Sequence, residues 1–282
     1  MIKNLTESES RAMDYPDWPS KISLESVSRK IFLEDSIPLK NIYQLEKGIP
    51  SWACYYKNIP LYFKEEFDGL GRKGLIRNEI EVMYEVNKLR EFIPNFEYGY
   101  FICQNNSYHF KELPLTPGRD LLIAEFISGP LVADIYKPHR DRLFSNLVQV
   151  IASIEIAKQT IGLVHNDLTP RNMVFKKLKK KSWISYNGLI IEDTHIPVIF
   201  DFDRSKIGGE SKDIPNFIKT YLGKSYPDIY SFYGLRRNKN RTLDTTNYVE
   251  RPVQELVKYL EQRYCWNPVK SKCDLLTPTN FI

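Results

Sequence analysis

His165-Asn166-Asp167-Leu168-Thr169-Pro170-Arg171-Asn172, followed at a distance by Phe200-Asp201-Phe202-Asp203, is the stretch that orders the rest of the chain. In the pattern H-x-D-L-x-x-x-N the aspartate can accept the proton of an attacking hydroxyl, while the asparagine turns an amide oxygen toward a metal. An aspartate on a later strand supplies the second metal ligand. These residue types suit phosphoryl transfer, because Mg²⁺ takes hard oxygen ligands and the reaction needs positioning and charge neutralisation more than covalent help. Four fixed residues in an eight-residue window, then Asp-Phe after a β-like run, make a more specific signal than one short motif.

The flanking sequence agrees with that reading. Phe144 to Leu163 places Leu147, Val148, Ile151, Ile154, Ile156 and Ile161 at helical spacing, and Gly162 closes the helix just before the motif. Met173-Val174-Phe175 and Pro197-Val198-Ile199-Phe200 read as short buried strands on either side of a hairpin. Upstream, Asn41 to Phe67 alternates aromatic and aliphatic segments broken at Gly48-Ile49-Pro50 and Lys57-Asn58, the mark of a small antiparallel sheet. Leu75 to Phe92 carries Ile76, Ile80, Met83, Val86 and Leu89 at helical spacing and stops at Pro94. Strands follow around Tyr98 to Cys103 and Leu121 to Phe126, separated by a Pro-rich loop at Leu113 to Gly118. Ile127-Ser128-Gly129-Pro130 is a composition break and a candidate hinge, after which helical patterns dominate and Glu250 to Tyr264 forms a further helix.

Composition bounds the protein loosely. With 282 residues, 42% of them hydrophobic and 13% aromatic, the chain can bury a sizeable core. The net charge of +5 is scattered apart from Lys176-Lys177-Leu178-Lys179-Lys180-Lys181, a basic loop that is either a solvated face or a binding patch for an acidic partner: nucleic acid, acidic protein or membrane. Cys54, Cys103, Cys265 and Cys273 form no C-x-x-C pair, which fits free thiols in a reducing compartment and implies neither zinc nor a disulfide framework. His109, His139 and His195 lack ligand-like spacing. The longest apolar run, Leu121 to Ile127, is far from spanning length and no signal-peptide pattern opens the chain, so no membrane span and an intracellular, cytoplasmic setting are expected.

On the order helix, catalytic loop, strand, strand, acidic turn, the chain resembles the eukaryotic-type protein kinase superfamily over roughly Asn41 to Tyr264. The resemblance implies an α+β, two-lobed protein-kinase-like fold: an extension at 1–38, an N-lobe at 39–127 with a small antiparallel β-sheet and one helix, and a mainly helical C-lobe at 128–282. It implies ATP and Mg²⁺ as cofactors and a protein Ser or Thr as acceptor. Asp167 is then the catalytic base, Asn172 and Asp201 the metal ligands, and His165 a support of the loop. Lys64, in Leu61-Tyr62-Phe63-Lys64, resembles the strand lysine that holds the α- and β-phosphates, and Glu79 resembles its helix partner, with Glu81 and Glu85 as competing choices. Taken singly, Lys64 also reads as an exposed strand-end lysine and Glu79 as an ordinary surface acid. Nucleotide contacts fall on Lys64, Gly48, Glu125 and Ile127. Pro227-Asp228 resembles the start of the long central C-lobe helix, whose buried aspartate bonds the catalytic-loop backbone.

Several positions depart from the family pattern. Gly48-Ile49-Pro50-Ser51-Trp52-Ala53 keeps only the first glycine of the phosphate-covering loop, and Tyr62 stands where a small residue usually faces adenine. Asn166 replaces the arginine that receives a regulatory phosphate, and Asp203 replaces the glycine of D-F-G. Only 26 residues separate Asp201 from Asp228, without an A-P-E motif. The short segment, the basic hairpin and the Asp-Phe-Asp turn resemble the divergent Ser/Thr kinases of large DNA viruses, and His-x-Asp-Leu-Thr-x-x-Asn-Met is also similar to the small atypical kinases of the tRNA-modifying KEOPS complex. The degraded glycine loop leaves a partner-binding pseudokinase open. The missing segment leaves a small-molecule kinase of the aminoglycoside or choline type open.

Overall fold

Alternation along the strands explains the first layer of the computed structural model, which describes residues 21–33, 38–45, 50–66, 75–104, 110–135, 140–223, 225–237, 243–268 and 275–276. The chain is α+β and divides into two compact units, one running to Ser128 and including Asp201–Arg204, the other taking Gly129–Phe200 and Ser205–Thr277. The first unit comprises α1 (Lys21–Leu33), β1 (Leu39–Gln44), β2 (Ser51–Tyr56), β3 (Ile59–Glu65), α2 (Leu75–Val86), β4 (Gly99–Gln104) and β5 (Asp120–Glu125). Its strands form one antiparallel sheet in the order β1-β2-β3-β5-β4.

Because side chains in a strand alternate between faces, Trp52, Cys54, Leu61, Phe63, Leu121 and Ile123 all point one way. They make the core of this unit together with Phe110, Leu113 and the α1 residues Leu24 and Ile31. The helix at Lys21–Leu33 falls inside the expected extension at 1–38, where no sustained period was legible. The other face carries Ser51 opposite Lys64, and Ala53 and Ala124 opposite Tyr62. Two alanines flank the tyrosine ring, so the bulk at Tyr62 is offset by small neighbours on both sides. Helix α2 buries Ile76, Val82, Met83 and Val86 as the spacing requires, but Glu79 is also buried while Ile80 stays partly exposed. The helix tightens into a 3₁₀ turn at Asn87–Glu91 and ends before Pro94. Arg90 in that turn forms a buried 2.5 Å ion pair with Glu125 and donates to the Phe96 carbonyl.

The second unit is built around α3 (Arg140–Ile161), buried from Phe144 to Ile154. Gly162, at φ +71°, closes it in the left-handed conformation that favours glycine. There follow β6 (Leu163–Val164), β7 (Met173–Tyr186), β8 (Leu189–Ile199), β9 (Lys206–Ile207), α4 (Asp213–Leu222), α5 (Pro227–Phe232), β10 (Arg236–Arg237), β11 (Leu243–Asp244), α6 (Val253–Tyr264) and β12 (Leu275–Leu276). Strands β7 and β8 are far longer than the short segments expected around Phe175 and Val198. They meet at Asn187-Gly188, both at positive φ, the two-residue turn that matches strand twist.

The basic stretch 176–181, expected as a loop, is part of β7. Pairing slips from Lys177↔His195 to Ser182↔Asp193, which leaves Leu178–Lys181 opposite Thr194 alone. The bulge persists because Leu178 is buried inside it and Ser182, Ile184 and Tyr186 resume the inward positions beyond. Lys181 in it bridges to the buried Glu192 at 2.7 Å. Helix α5 has six residues and is not the long central helix expected at Pro227. Among the described residues, no helix is long and apolar enough to cross a membrane. Gly48, His109, His139 and Cys273 lie outside the described residues.

Gly129 makes a close backbone approach in this unit. A Cβ there would sit 2.1 Å from the Phe175 carbonyl oxygen, and the Phe175 N–H donates to the adjacent Pro130 carbonyl at 3.0 Å. Gly129→Ala is therefore expected to destabilise the protein by about 1–3 kcal/mol, the usual cost of overpacking, measured as a lowered urea midpoint at unchanged slope.

Candidate active site

Lys64 is the centre of the charged cluster in the first unit. Strand β3 presents it on the face away from the apolar core, where its Nζ lies 2.7 Å from Glu79 Oε2 and 2.8 Å from Asp201 Oδ1. Glu79 is buried, and its second oxygen accepts the Phe202 N–H at 3.2 Å. The residue just before it in α2, Asn78, donates to the Asp203 carbonyl at 3.0 Å. Helix α2 thereby fixes the turn holding Asp201, and Phe202 inserts beside Phe96. Among the three candidate acids the geometry selects Glu79, for Glu81 is exposed and Glu85 pairs with Lys88.

Burial alone would lower the Lys64 pKa, but the Glu79 and Asp201 carboxylates outweigh it and hold the ammonium well above its usual range. Burial pushes Glu79 up, while the ammonium 2.7 Å away pulls it back. We take the pair as ionised, because the cation that faces Glu79 is itself strongly stabilised. Asp201 adopts φ +63°, a conformation aspartate tolerates better than most residues. The backbone freedom of this turn is needed at Asp201, and Asp203 follows at ordinary φ with its side chain buried.

In the second unit the motif residues are tied together separately. Asn172 Nδ2 donates to the Asp167 carbonyl at 2.9 Å and to Asp167 Oδ2 at 3.2 Å, so the amide oxygen of Asn172 is the group left to act as a ligand. His165 is fully buried, with its Nε2 3.2 Å from the Phe200 carbonyl, and its own carbonyl accepts from Ser205 Oγ at 3.0 Å. Arg171 is exposed.

Asp213, which the sequence did not single out, anchors this loop. It is 1% exposed at the first position of α4 and accepts the His165 N–H at 2.7 Å and the Asn166 N–H at 2.8 Å. Asn166 is left-handed at φ +63°, and both amides turn toward one carboxylate. The role expected of Asp228 belongs to Asp213. Asp228 is instead partly exposed and bonded by Tyr259, Tyr264 and Arg263, and this set of donors outweighs its burial and holds its carboxyl below the usual carboxylate range. Both aspartates lie in the first turn of a helix within two residues of a proline, so the local pattern could not separate them. The nearby Ser211, which donates to Asp213 and accepts its N–H, is the one local sign of a helix start.

The remaining nucleotide-binding expectations fare differently. Glu125 directs its carboxylate to Arg90 and its N–H to the Tyr98 carbonyl, so neither is open to a ligand. Ile127 is buried. Cys54 and Cys265 are free thiols. His195 is half-buried and its pKa is lowered chiefly by burial, with Nδ1 2.8 Å from Thr194 Oγ1.

No protein-family model matches this chain. A 137-residue stretch is 30% identical to Uncharacterized protein 179R of Invertebrate iridescent virus 6, covering 43% of this chain and 11% of that protein. The chain thus corresponds to about a tenth of the length of the relative it matches.

Removing the Asp213 carboxylate takes the acceptor from the buried His165 N–H, at a cost of about 1–3 kcal/mol, and from the part-buried Asn166 N–H. Asp213→Ala should therefore lower the thermal midpoint markedly and speed amide exchange at His165 and Asn166. Asp228→Ala should leave the exchange of those two amides unchanged.

Proposed function

We propose that the chain is an ATP-dependent phosphotransferase with a two-lobed protein-kinase-like fold, moving the γ-phosphoryl of Mg-ATP to a protein Ser or Thr hydroxyl. The observation that carries this reading is the Lys64 ammonium held by Glu79 and Asp201, three residues from β3, α2 and the turn after β8. In this reading the ammonium, fixed by the carboxylate behind it, presents a point charge to the α- and β-phosphates. Asp167 accepts the proton of the acceptor hydroxyl as the new O–P bond forms and the bond to the β-phosphate oxygen breaks. Asp201 and Asn172 offer hard oxygens to Mg²⁺, which when bound neutralises phosphate charge. Free thiols at Cys54 and Cys265 fit an intracellular setting.

A second reading, phosphorylation of a small molecule, draws on one observation. Asp213 rather than Asp228 anchors the loop, so only eleven residues, 202–212, lie between Asp201 and the next helix, which leaves little chain to position a peptide.

The test is transfer of labelled γ-phosphate from Mg-ATP to mixed protein acceptors and, in parallel, to small hydroxyl and amino acceptors. Asp167→Asn and Lys64→Met are each expected to lower transfer by at least 100-fold, in line with the usual contribution of general-base catalysis and phosphate clamping. Label on proteins alone supports the protein kinase; label on small acceptors alone supports the second reading. No transfer by folded wild-type protein would refute both and favour a partner-binding pseudokinase.

A further inference from the structure

The β7–β8 hairpin and the first turns of α3 bring exposed cations together within the second unit, and Asp193 of β8 is the joint between them. Ser145 of α3 donates to Asp193 Oδ2, and Gln149 Nε2 donates at 3.2 Å both to that oxygen and to the His195 carbonyl. The Thr194 and His195 N–H groups donate to Oδ1 at 2.6 and 3.1 Å. Arg142 precedes Ser145 by three positions in α3, so it lies one turn along the same helix face, and it is exposed. His195 stands two positions after Asp193 and shares its side of the sheet, with the exposed Lys177 as its cross-strand partner. The charges of Arg142 and Lys177 both act on the His195 ring, as this placement requires.

Beside Lys177 the bulge carries three further lysines. Its buried Leu178 pins it, while Lys179 and Lys180 are exposed. The carboxylates of this neighbourhood leave the charge in surplus. Glu192 is buried and bridged by Lys181, Asp193 is bonded by the four donors above, and Asp141 lies 3.7 Å from Arg140. Arg142 and Lys177 form no ion pair with a described residue. Three carboxylates thus stand against six cations, Arg140, Arg142, Lys177, Lys179, Lys180 and Lys181.

The chemistry of this ridge narrows its partner. A protein interface is centred on apolar or aromatic anchors and depleted in lysine there, and a bilayer surface takes up an apolar face. The exposed large apolar side chains among the described residues are Tyr84, Phe92, Ile207 and Val249, and none belongs to the hairpin or to α3. Single strands stack their bases on aromatic side chains. Trp183, beyond the bulge, points to the opposite side of the sheet from the inward Ser182 and is only partly exposed. A duplex backbone needs cations alone, with lysine as a point charge and arginine as a fork matched to phosphate oxygens.

We propose that this ridge binds the phosphate backbone of a nucleic-acid duplex without reading its sequence, through Arg142, Lys177, Lys179 and Lys180. None of these four belongs to the Lys64 cluster or to the motif loop, so the proposal stands or falls separately from phosphoryl transfer.

The experiment is fluorescence anisotropy of a labelled DNA duplex of about 20 base pairs titrated with the full-length protein, without nucleotide, across a series of KCl concentrations. Four phosphate contacts give a slope of about −3.6 in log K against log salt, so affinity should fall about 100-fold between 50 and 200 mM KCl. A second duplex of shuffled sequence should bind equally. Lys177→Gln, Lys179→Gln and Lys180→Gln combined should weaken binding at least tenfold and flatten the slope by about 3, and Arg142→Gln, on a separate element, should flatten it by about 1. Lys258→Gln removes the same charge from an exposed position of α6 and should leave affinity within twofold and the slope unchanged. Single-stranded DNA of equal length, polyglutamate, and vesicles of phosphatidylcholine and phosphatidylserine should each bind at least threefold more weakly than the duplex. No binding at 50 mM KCl, an affinity independent of salt, or an equal loss in Lys258→Gln and the ridge variants overturns the proposal. Binding of any comparison ligand as tight as the duplex also overturns it, and assigns the ridge to a single strand, an acidic protein or a membrane.

Discussion

A lysine ammonium cannot be buried without paired charge, and the first unit is organised around meeting that demand for Lys64. Strand β3 delivers the side chain to the face of the sheet opposite the apolar core, α2 turns Glu79 inward to meet it, and the turn at Asp201 adopts a left-handed conformation to bring in a second carboxylate. Removing a partner would leave an uncompensated buried charge, the costly case for an interior ion pair. The same demand explains why an acid stands among the apolar positions of α2. It also explains why the Phe202 N–H is spent on Glu79 and the Asp203 carbonyl on Asn78.

The second unit meets a different constraint. Its motif loop turns backbone N–H groups inward, and Asp213 satisfies two of them with one carboxylate, while Ser205 and the Phe200 carbonyl engage His165. Asp167 and Asn172 then hold each other through side chain and backbone. If these groups react as proposed, rigid support of this kind gives them a defined direction before substrate arrives.

Much of this was legible because it rests on local rules. The helices at Leu75 and Phe144 follow apolar spacing and stop at Pro94 and Gly162, and the strands at Ile59 and Leu121 follow alternation with turn residues between them. The long hairpin was readable too: Asn187-Gly188 is a strong turn signal, obscured by six positions rich in lysine that suggested a solvated loop. Lysine stems tolerate a strand whose outward face is wet, and the buried Leu178 was the clue to pairing. Helix α1 takes its order from packing Leu24, Val27 and Ile31 on the sheet.

The sequence by itself determined which residue types could carry chemistry and in what order the elements carrying them occur, since motif spacing and side-chain periodicity are properties of the chain alone. Only the tertiary structure decided which of several equivalent acids is buried: Glu79 over Glu81 and Glu85, Asp213 over Asp228, and Glu125 given to Arg90. Those choices depend on desolvation and on donors brought from elements tens of residues away, and no local pattern records them.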